Sequence, residues 1–302
     1  INKTNKKIYR KQVSSIKKKY KKFILVCSTF SYINYFDKKI RFIDLLKKRN
    51  FFNNLKDIRK WKNYEKVKKK TLDELLKFIK LHNSEQKKIK IVIRCHPSEN
   101  NEIYKELSMK YRNVFFDDEF SVHPWLICCE KLINHYCTTT FEALKLNKEV
   151  FSLKPYKTSE MENNDFFKIT TVAKNHSDLF TKLRSKNVNI TQQKFLSSYA
   201  LNFKNDINSC DIISKKINET FENHKKKFEY KNKINFEKYF FKIKISKIKN
   251  FLKFDSSNSY SSHKIKEISK KEIQQFVSNF KIYNKKISVK KLEKNFFVLT
   301  SV

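Results

Sequence analysis

Short apolar runs alternate with segments of helical spacing along the first two thirds of the chain. The run Phe23–Cys27 is continuously apolar, which is typical of a strand covered on both faces of a sheet. Further runs predict strands at 89–94, 114–116, 131–135 and 149–153. Strands that alternate with helices form parallel sheets with right-handed crossovers. The pattern therefore predicts an α/β fold, a Rossmann-like parallel sheet flanked by helices, over residues 23–190.

Helical spacing is clearest before the second predicted strand. Residues 38–70 are rich in lysine and mostly helical in pattern. Thr71, with Glu74 three residues later, has the form of a capping box, which predicts that a new helix opens there and runs to about His82.

The rest of the chain divides into three further segments. Residues 1–22 form a basic lead-in with little periodicity. Residues 191–254 predict helices that pack on the sheet domain, followed by a basic amphipathic segment. Together these helices make a basic, helical C-terminal extension. Residues 255–302 predict a linker and a small α+β tail, in which a helix precedes two short strands near 287–291 and 296–300.

Composition changes how the charge is interpreted. The chain has no glycine, three prolines and three alanines, and 61 of its 68 basic residues are lysine. Because the codons for Gly, Ala, Pro and most Arg are GC-rich, a strongly AT-rich genome explains this bias. Such a bias spreads lysine over the whole surface, so the net charge of +38 supports a nucleic-acid interface only weakly. The lack of glycine also excludes the Gly-x-Gly-x-x-Gly fingerprint and the P-loop.

Cysteine spacing and hydropathy exclude other classes of protein. The six cysteines include no C-x-x-C pair, which favours structural thiols in a reducing cytoplasm over a disulfide framework or a zinc site. No apolar run approaches the ~20 residues that span a bilayer. We therefore expect a cytoplasmic protein with no signal peptide, no metal ion and no cofactor.

One polar motif, Arg94-Cys95-His96-Pro97-Ser98-Glu99, directly follows the strand at 89–94. Pro97 fixes the turn and so directs the His96 imidazole. The imidazole and the Ser98 hydroxyl can donate hydrogen bonds to phosphate oxygens, while Glu99 can order the loop or contact a sugar hydroxyl. The alternative is a structural turn in which His96 caps a carbonyl, and the His-Pro dipeptide alone favours that alternative.

A run of three hydroxyls, Thr138-Thr139-Thr140, follows the strand at 131–135. An N-cap needs one of them, so three exceed what capping requires. Backbone N–H groups at a helix start attract anions, and Glu142 in the first turn can accept hydrogen bonds from a ribose. Because parallel strands end at a common edge of the sheet, the two motifs together predict one phosphate-binding site.

Three other polar positions lie close to these motifs in the sequence. We interpret His123-Pro124-Trp125 as structural, with Trp125 as a core anchor. His135 is either a core histidine or a partner behind the hydroxyl run. Lys154 follows the next strand and can approach the same crevice, although one lysine among 61 carries little weight.

Taken together, the motifs resemble a known family. The elements of the resemblance are R-x-H-P-S-E after a strand, a short helix containing Trp125, a hydroxyl run before Phe141-Glu142-Ala143, and S-L-x-P ending the next strand. This combination is similar to the C-terminal domain of bacterial surface-carbohydrate biosynthesis proteins. Those proteins are similar in turn to GT-B glycosyltransferases of capsule and lipopolysaccharide synthesis, including polysialyl-, sialyl-, Kdo- and CDP-glycerol-transferase-like groups. The resemblance covers about residues 23–190.

The resemblance implies a site for a donor nucleotide. Its residues would be Arg94, His96, Ser98 and Glu99 of the first motif, with Thr138, Thr139 and Thr140 on the phosphate and Glu142 on the ribose. The chain would then be the donor-binding part of an enzyme that transfers a sugar from a nucleotide-sugar, with a CMP-linked sugar as one candidate, to a glycan acceptor. Related enzymes carry the acceptor site and the general base on an N-terminal domain. Since 22 residues precede the first strand, we expect that domain to be absent here.

The resemblance also implies a location, and two other functions stay open. Lipid-linked glycan acceptors would place the protein at the inner face of the cytoplasmic membrane, with residues 225–254 as the candidate peripheral contact with anionic lipid. One alternative is a nucleotide-sugar epimerase of GT-B architecture that acts on a UDP-sugar. The other is a non-enzymatic basic protein that binds nucleic acid or anionic lipid.

Overall fold

A computed structural model of the chain contains a six-stranded parallel sheet. The structure describes residues 8–85, 89–157, 161–185, 209–224, 269–279, 287–293 and 296–301. The strands of the sheet are β1 Phe23–Cys27, β2 Lys90–Arg94, β3 Val114–Phe116, β4 Lys131–Asn134, β5 Glu149–Leu153 and β6 Thr171–Ala173. Their order is β3-β2-β1-β4-β5-β6, with every neighbouring pair parallel. The predicted fold class is confirmed, and the three-residue strand β6 is an addition that the sequence did not predict.

Helices connect and cover these strands. They are α1 Arg10–Tyr20, α2 Phe42–Lys48, α3 Leu55–Glu85, α4 Glu102–Lys110, α5 Val122–Cys128, α6 Thr139–Lys145, α7 Asp165–Lys168 and α8 His176–Arg184. Alternate apolar side chains of β1 and β2 are buried in one core with two residues of α3; these side chains are Ile24, Val26, Ile91, Ile93, Phe78 and Ile79. Each large apolar side chain buried in this way contributes about 1.5–3 kcal/mol. The continuous apolar runs are therefore what place the strands in the middle of the domain.

Helix α3 is longer than the sequence predicted. It runs without a break for 31 residues, although Thr71 and Glu74 had predicted a helix start in its middle. The Thr71 hydroxyl instead donates to the Val67 carbonyl at 2.9 Å, as mid-helix threonines do. The Glu74 carboxylate accepts from the backbone N–H of His176 at 2.9 Å. The capping-box prediction was wrong because one side chain bonds within its own helix and the other bonds to α8.

The basic lead-in also contains structure that its sequence did not predict. Ile16 and Tyr20 of α1 are buried, and the Tyr20 hydroxyl donates to the Asp117 carboxylate at 2.6 Å. The Tyr20 ring contacts Phe23 and Trp125, at centroid distances of 5.8 Å and 5.6 Å. Helix α1 is therefore packed on the sheet domain through one face, and its many lysines disguise the periodicity of that face.

The described residues fall into two compact units, one within 1–199 and 267–302 and the other within 200–266. The tail of the first contains α10 (Lys270–Asn279), and β7 (Ile287–Glu293) paired antiparallel with β8 (Phe296–Ser301), which confirms the helix and two strands predicted there. The described part of the second is α9 (Ser209–His224). The amphipathic segment 225–254 lies outside the described residues. Among the described helices, none combines the length and apolar character that crossing a bilayer requires.

Candidate functional site

The two polar motifs leave the carboxyl edge of the sheet on either side of β1. The order of the strands reverses at β1, which pairs with β2 on one side and β4 on the other. In register, Cys27 at the end of β1 lies beside Arg94 on β2 and Asn134 on β4. Such a reversal is where open α/β sheets bind ligands. The loops that carry His96 and the threonine run therefore leave the same edge of the sheet on either side of β1, and we call the region between them the crevice.

Glu99 organises the loops on the β2 side of this crevice. Its buried carboxylate accepts hydrogen bonds from the Ser28 hydroxyl at 3.0 Å, the Phe30 N–H at 2.9 Å and the Tyr104 hydroxyl at 2.6 Å. Burial raises the pKa of Glu99, while these hydrogen bonds oppose that rise. Of the two roles that the sequence left open for Glu99, the structure shows the ordering of the loop.

Within the same motif His96 and Ser98 hold each other. The Ser98 N–H donates to His96 Nδ1 at 3.2 Å, so the ring proton of a neutral imidazole lies on Nε2. His96 is half-buried, whereas Ser98 is buried. The turn thus fixes the orientation of the imidazole.

Arg94 is engaged with a neighbouring loop. Its guanidinium donates to the carbonyls of Glu119 at 2.7 Å and Phe120 at 3.0 Å, and lies 5.5 Å above the Trp125 ring. Burial lowers the pKa of Arg94. In this structure its charge holds the loop after β3 against α5, where Trp125 is the buried anchor that the sequence predicted.

The three threonines differ in where their hydroxyls go. Thr138 is exposed, and its side chain makes no capping bond to α6. The Thr139 hydroxyl donates to the Cys137 sulfur at 3.1 Å. Thr140 is fully buried and accepts from Asn134 Nδ2 at 2.9 Å. Thr140 therefore anchors the helix, while Thr138 and the partly exposed Thr139 border the crevice.

Glu142 has a partner, His123, that the sequence analysis interpreted as structural. His123 Nε2 lies 3.4 Å from Glu142 Oε2, and the His123 ring is stacked on Tyr9 with centroids 5.9 Å apart. The Glu142 oxygen makes no hydrogen bond within the described part of the chain. Helix α5 thus brings the His123 imidazole beside a predicted site residue, and the interpretation of His123 as structural stays a prediction.

A buried polar cluster lies behind the threonine loop. His135 Nδ1 is 2.7 Å from the Leu153 carbonyl, and its Nε2 is 2.8 Å from Glu162 Oε1. Lys68 of α3 lies 3.8 Å from the same carboxylate oxygen, and the Tyr156 hydroxyl donates to the other oxygen. His135 is thus buried with both ring nitrogens in polar contacts, and the choice between its two predicted roles stays open.

The charged side chains of this cluster, Lys68 and Glu162, lie next to each other and are buried away from solvent. Burial lowers the pKa of Lys68 to about 8. Burial, and then the Lys68 charge, also lowers the pKa of His135. Although burial opposes its ionisation, hydrogen bonds from His135 and Tyr156 hold the pKa of Glu162 below its ordinary value. Among the described residues, no group of three His, Cys, Asp or Glu side chains is placed to hold a metal ion.

The segment after Glu162 supports the same loop from the outside. The Tyr136 hydroxyl accepts from the Asn163 N–H at 2.8 Å, and its ring packs on Phe166 with centroids 4.9 Å apart. Lys154 donates to the Asn164 side chain at 3.0 Å and lies 4.2 Å above the Phe167 ring. Lys154 is therefore engaged with this supporting segment.

No family model matches the chain, and no curated protein is similar to it. Among solved structures, it is similar to two of the wall teichoic acid polymerase TagF, one of which was soaked with CDPG. The match to the soaked structure has a TM-score of 0.37 and 15% sequence identity, and it covers 72% of this chain and 48% of the TagF chain. The match to the second structure has a TM-score of 0.38 and 17% sequence identity, and it covers 72% of this chain and 50% of the TagF chain. This chain therefore spans about half the length of the polymerase.

Sequence reasoning missed Glu162, Lys68 and Tyr136 as neighbours of the candidate site. Glu162 follows no strand directly, and Lys68 is one lysine among many in a long helix. Tyr136 sits between His135 and the threonine run, but nothing in its identity indicates the backbone φ of 50° that it adopts. The sequence did contain one indication of a polar cluster here, since His135 ends a predicted strand shortly before the threonine run.

Proposed function

We propose that this chain is the donor-nucleotide-binding part of a GT-B-type glycosyltransferase in surface-polysaccharide biosynthesis. The observation that carries the proposal is the placement of His96 and Thr138 on loops that flank the strand-order reversal at β1. An imidazole N–H and threonine hydroxyls are donors suited to phosphate oxygens. Capsule or lipopolysaccharide synthesis is the setting that the motif resemblance favours.

The proposed reaction divides its tasks between this site and an acceptor site. The bond between the anomeric carbon of the sugar and the donor phosphate oxygen breaks, and the acceptor hydroxyl oxygen forms the new bond. The acceptor proton passes to a general base outside the described residues. As the phosphate departs it gains negative charge, which the His96 Nε2–H and the hydroxyls of Thr138 and Thr139 stabilise.

Isothermal calorimetry with CMP, ATP and GTP tests the proposal. A cytidine nucleotide is expected to bind the full chain more tightly than ATP or GTP, and to raise its melting temperature accordingly. Equal weak binding of all nucleotides, with a steep dependence on salt, would instead favour a non-enzymatic polyanion binder. Preferential binding of a UDP-sugar would favour the epimerase alternative.

We further propose that the glycan acceptor is lipid-linked and that the protein is a peripheral protein at an anionic membrane surface. The supporting observation is a basic-apolar patch at residues 47–62, which joins α2 to α3. Phe51 and Leu55 in this patch are 55% and 75% exposed. The same segment contains seven basic residues and one acidic residue. Exposed apolar side chains among basic residues are suited to an interface with anionic lipid.

A further inference from the structure

A buried contact joins His135 and Glu162. The Leu153 carbonyl can only accept, so the nitrogen 2.7 Å from it, His135 Nδ1, carries a proton. On the opposite side of the ring, Nε2 lies 2.8 Å from a carboxylate oxygen of Glu162. The Tyr156 hydroxyl lies 3.0 Å from Nε2 and donates to the other Glu162 oxygen. Glu162 therefore contacts His135 through one oxygen and Tyr156 through the other.

Other charged and titratable groups face this pair from the elements packed around it. Lys68 of α3 lies 3.8 Å from Glu162, and its amine is 5.0 Å from the centre of the Tyr64 ring. The side chains of both Lys68 and Glu162 are almost wholly excluded from solvent. Removal of one partner would leave a buried charge uncompensated, which is strongly unfavourable. The cluster is consequently a rigid connection between α3, the end of β4 and the segment before α7.

The backbone next to His135 is strained and needs such a connection. Tyr136 has a φ of 50°, in the left-handed region that is unfavourable for a residue with a Cβ atom. Strain of this kind persists where surrounding contacts enforce it. Those contacts are the Asn163 N–H on the Tyr136 hydroxyl, at 2.8 Å, and the Thr29 hydroxyl on the His135 carbonyl, at 2.6 Å. Glu162 and Asn163 therefore contact His135 and Tyr136, and these contacts fix the backbone of residues 135 and 136.

We propose that Glu162 is a positioning residue for the nucleotide site. Through its contact with His135, it holds residues 135–138 in the conformation that presents Thr138 and Thr139 to the donor phosphate. Glu162 does not itself touch the nucleotide. This inference rests on the proposed function, and it adds a carboxylate that the motif resemblance does not include.

The test compares two glutamates that each pair with a histidine. Glu162→Gln keeps the shape of the side chain and an acceptor for Tyr156 but removes the negative charge. The matched control is Glu74→Gln, which removes the carboxylate that lies 2.7 Å from His176 Nδ1 and ties α3 to α8. In calorimetry with CMP, the dissociation constant is expected to rise about tenfold for Glu162→Gln and to stay unchanged for Glu74→Gln.

A spectroscopic measurement separates positioning from simple structural support. In protein labelled with ¹⁵N-histidine, with His135 assigned by His135→Gln, the Nε2 shift of His135 should differ between the wild-type chain and Glu162→Gln. The same shift should be unchanged in Glu74→Gln, whose carboxylate contacts His176 instead. If Glu162→Gln does not fold, Tyr156→Phe serves instead, with an expected rise of about threefold in the CMP dissociation constant from a weakened clamp.

The outcomes distinguish this inference from the proposed function. If CMP binds the wild-type chain and Glu162→Gln equally well, the positioning role is overturned and the nucleotide site stands. A His135 Nε2 shift that is the same in the wild-type chain and Glu162→Gln, or unchanged CMP affinity in a folded Tyr156→Phe when Glu162→Gln fails to fold, overturns it as well. Failure of CMP to bind the wild-type chain overturns the proposed function, and this inference with it.

Discussion

In each of the two motifs the polar side chains divide into buried and accessible ones. Glu99 and Thr140 are fully buried and hydrogen-bonded within the protein, whereas His96 is half-buried and Thr138 is exposed. A buried carboxylate with several donors fixes a loop at the expense of its own access to ligand. The neighbouring residues of the loop are then fixed in position, which favours the binding of a ligand to them. Loop support and ligand contact are therefore expected to separate by mutation.

Substitution of the crevice residues should weaken binding without unfolding the protein. His96→Ala and Thr139→Ala each remove a donor near the proposed phosphate, and losing such a contact costs about 1.5–3 kcal/mol of binding free energy. Calorimetry with CMP measures the loss, and circular dichroism checks that each variant is folded. A variant that unfolds would show that its residue is part of the structure rather than of the binding site.

Substitution of Glu99 should have the opposite effect. Glu99→Ala would leave the Ser28 hydroxyl, the Phe30 N–H and the Tyr104 hydroxyl without their shared acceptor. Because each unsatisfied buried group costs about 1–3 kcal/mol, we expect the free energy of unfolding to fall by about 3 kcal/mol or more. Urea denaturation provides the measurement. A change below about 1 kcal/mol would mean that water or a rearranged loop replaces the carboxylate.

Between elements, the contact of α3 with α8 gives a prediction about pH. Although burial opposes ionisation, hydrogen bonds from His176 and Lys77 hold the pKa of Glu74 at about 2, below its ordinary value of 4.5. A carboxyl whose pKa is lower in the folded state stabilises the fold above pH 4.5 and loses this effect as the pH falls towards 2. Since solvent screens this pair, Glu74→Gln should cost about 1 kcal/mol at neutral pH.

Urea denaturation of the wild-type chain and Glu74→Gln at a series of pH values checks this expectation. The difference in the free energy of unfolding should shrink steadily below pH 4.5 and vanish near pH 2. A difference that is independent of pH would assign the effect to packing of the side chain rather than to its charge.

The elements also show what the sequence alone could predict. The strands were predictable because runs such as Ile91–Ile93 are apolar without interruption and follow local rules. The continuation of α3 through Thr71 and the packing of α1 were not, since both depend on contacts with distant residues. The site follows the same division. The position of His96 and Thr138 at one edge of the sheet was predictable because both follow strands, whereas the pairing of Lys68 with Glu162 arises only when the chain is folded.

Positive charge dominates the molecule as a whole. Basic residues outnumber acidic ones by 68 to 30, and lysine is spread along the entire chain. A charge so widely distributed attracts any polyanion and does not by itself select a partner. Selection needs a second kind of contact beside the charge. The basic-apolar patch at residues 47–62 supplies one, because Phe51 and Leu55 are exposed among its basic side chains.

The patch leads to a prediction about membrane binding by the whole protein. Each lysine near an anionic leaflet adds roughly 1 kcal/mol, and buried apolar side chains add to this. The chain should therefore sediment with vesicles rich in phosphatidylglycerol, and this binding should fall with salt. The double variant Phe51→Ser/Leu55→Ser should remain largely in the supernatant. Met109→Ser, which alters an 80% exposed apolar residue on α4, is the matched control and should bind as the wild-type chain does.

The outcomes of the vesicle experiment separate three surfaces. Binding that survives Phe51→Ser/Leu55→Ser but is lost when residues 225–254 are deleted would transfer the contact to that basic amphipathic segment. Binding that survives both changes and is released by soluble polyanions such as heparin would indicate attraction through overall charge. If the wild-type chain stays in the supernatant with anionic vesicles at low salt, the peripheral membrane role fails. The nucleotide site would then have to receive its acceptor from solution.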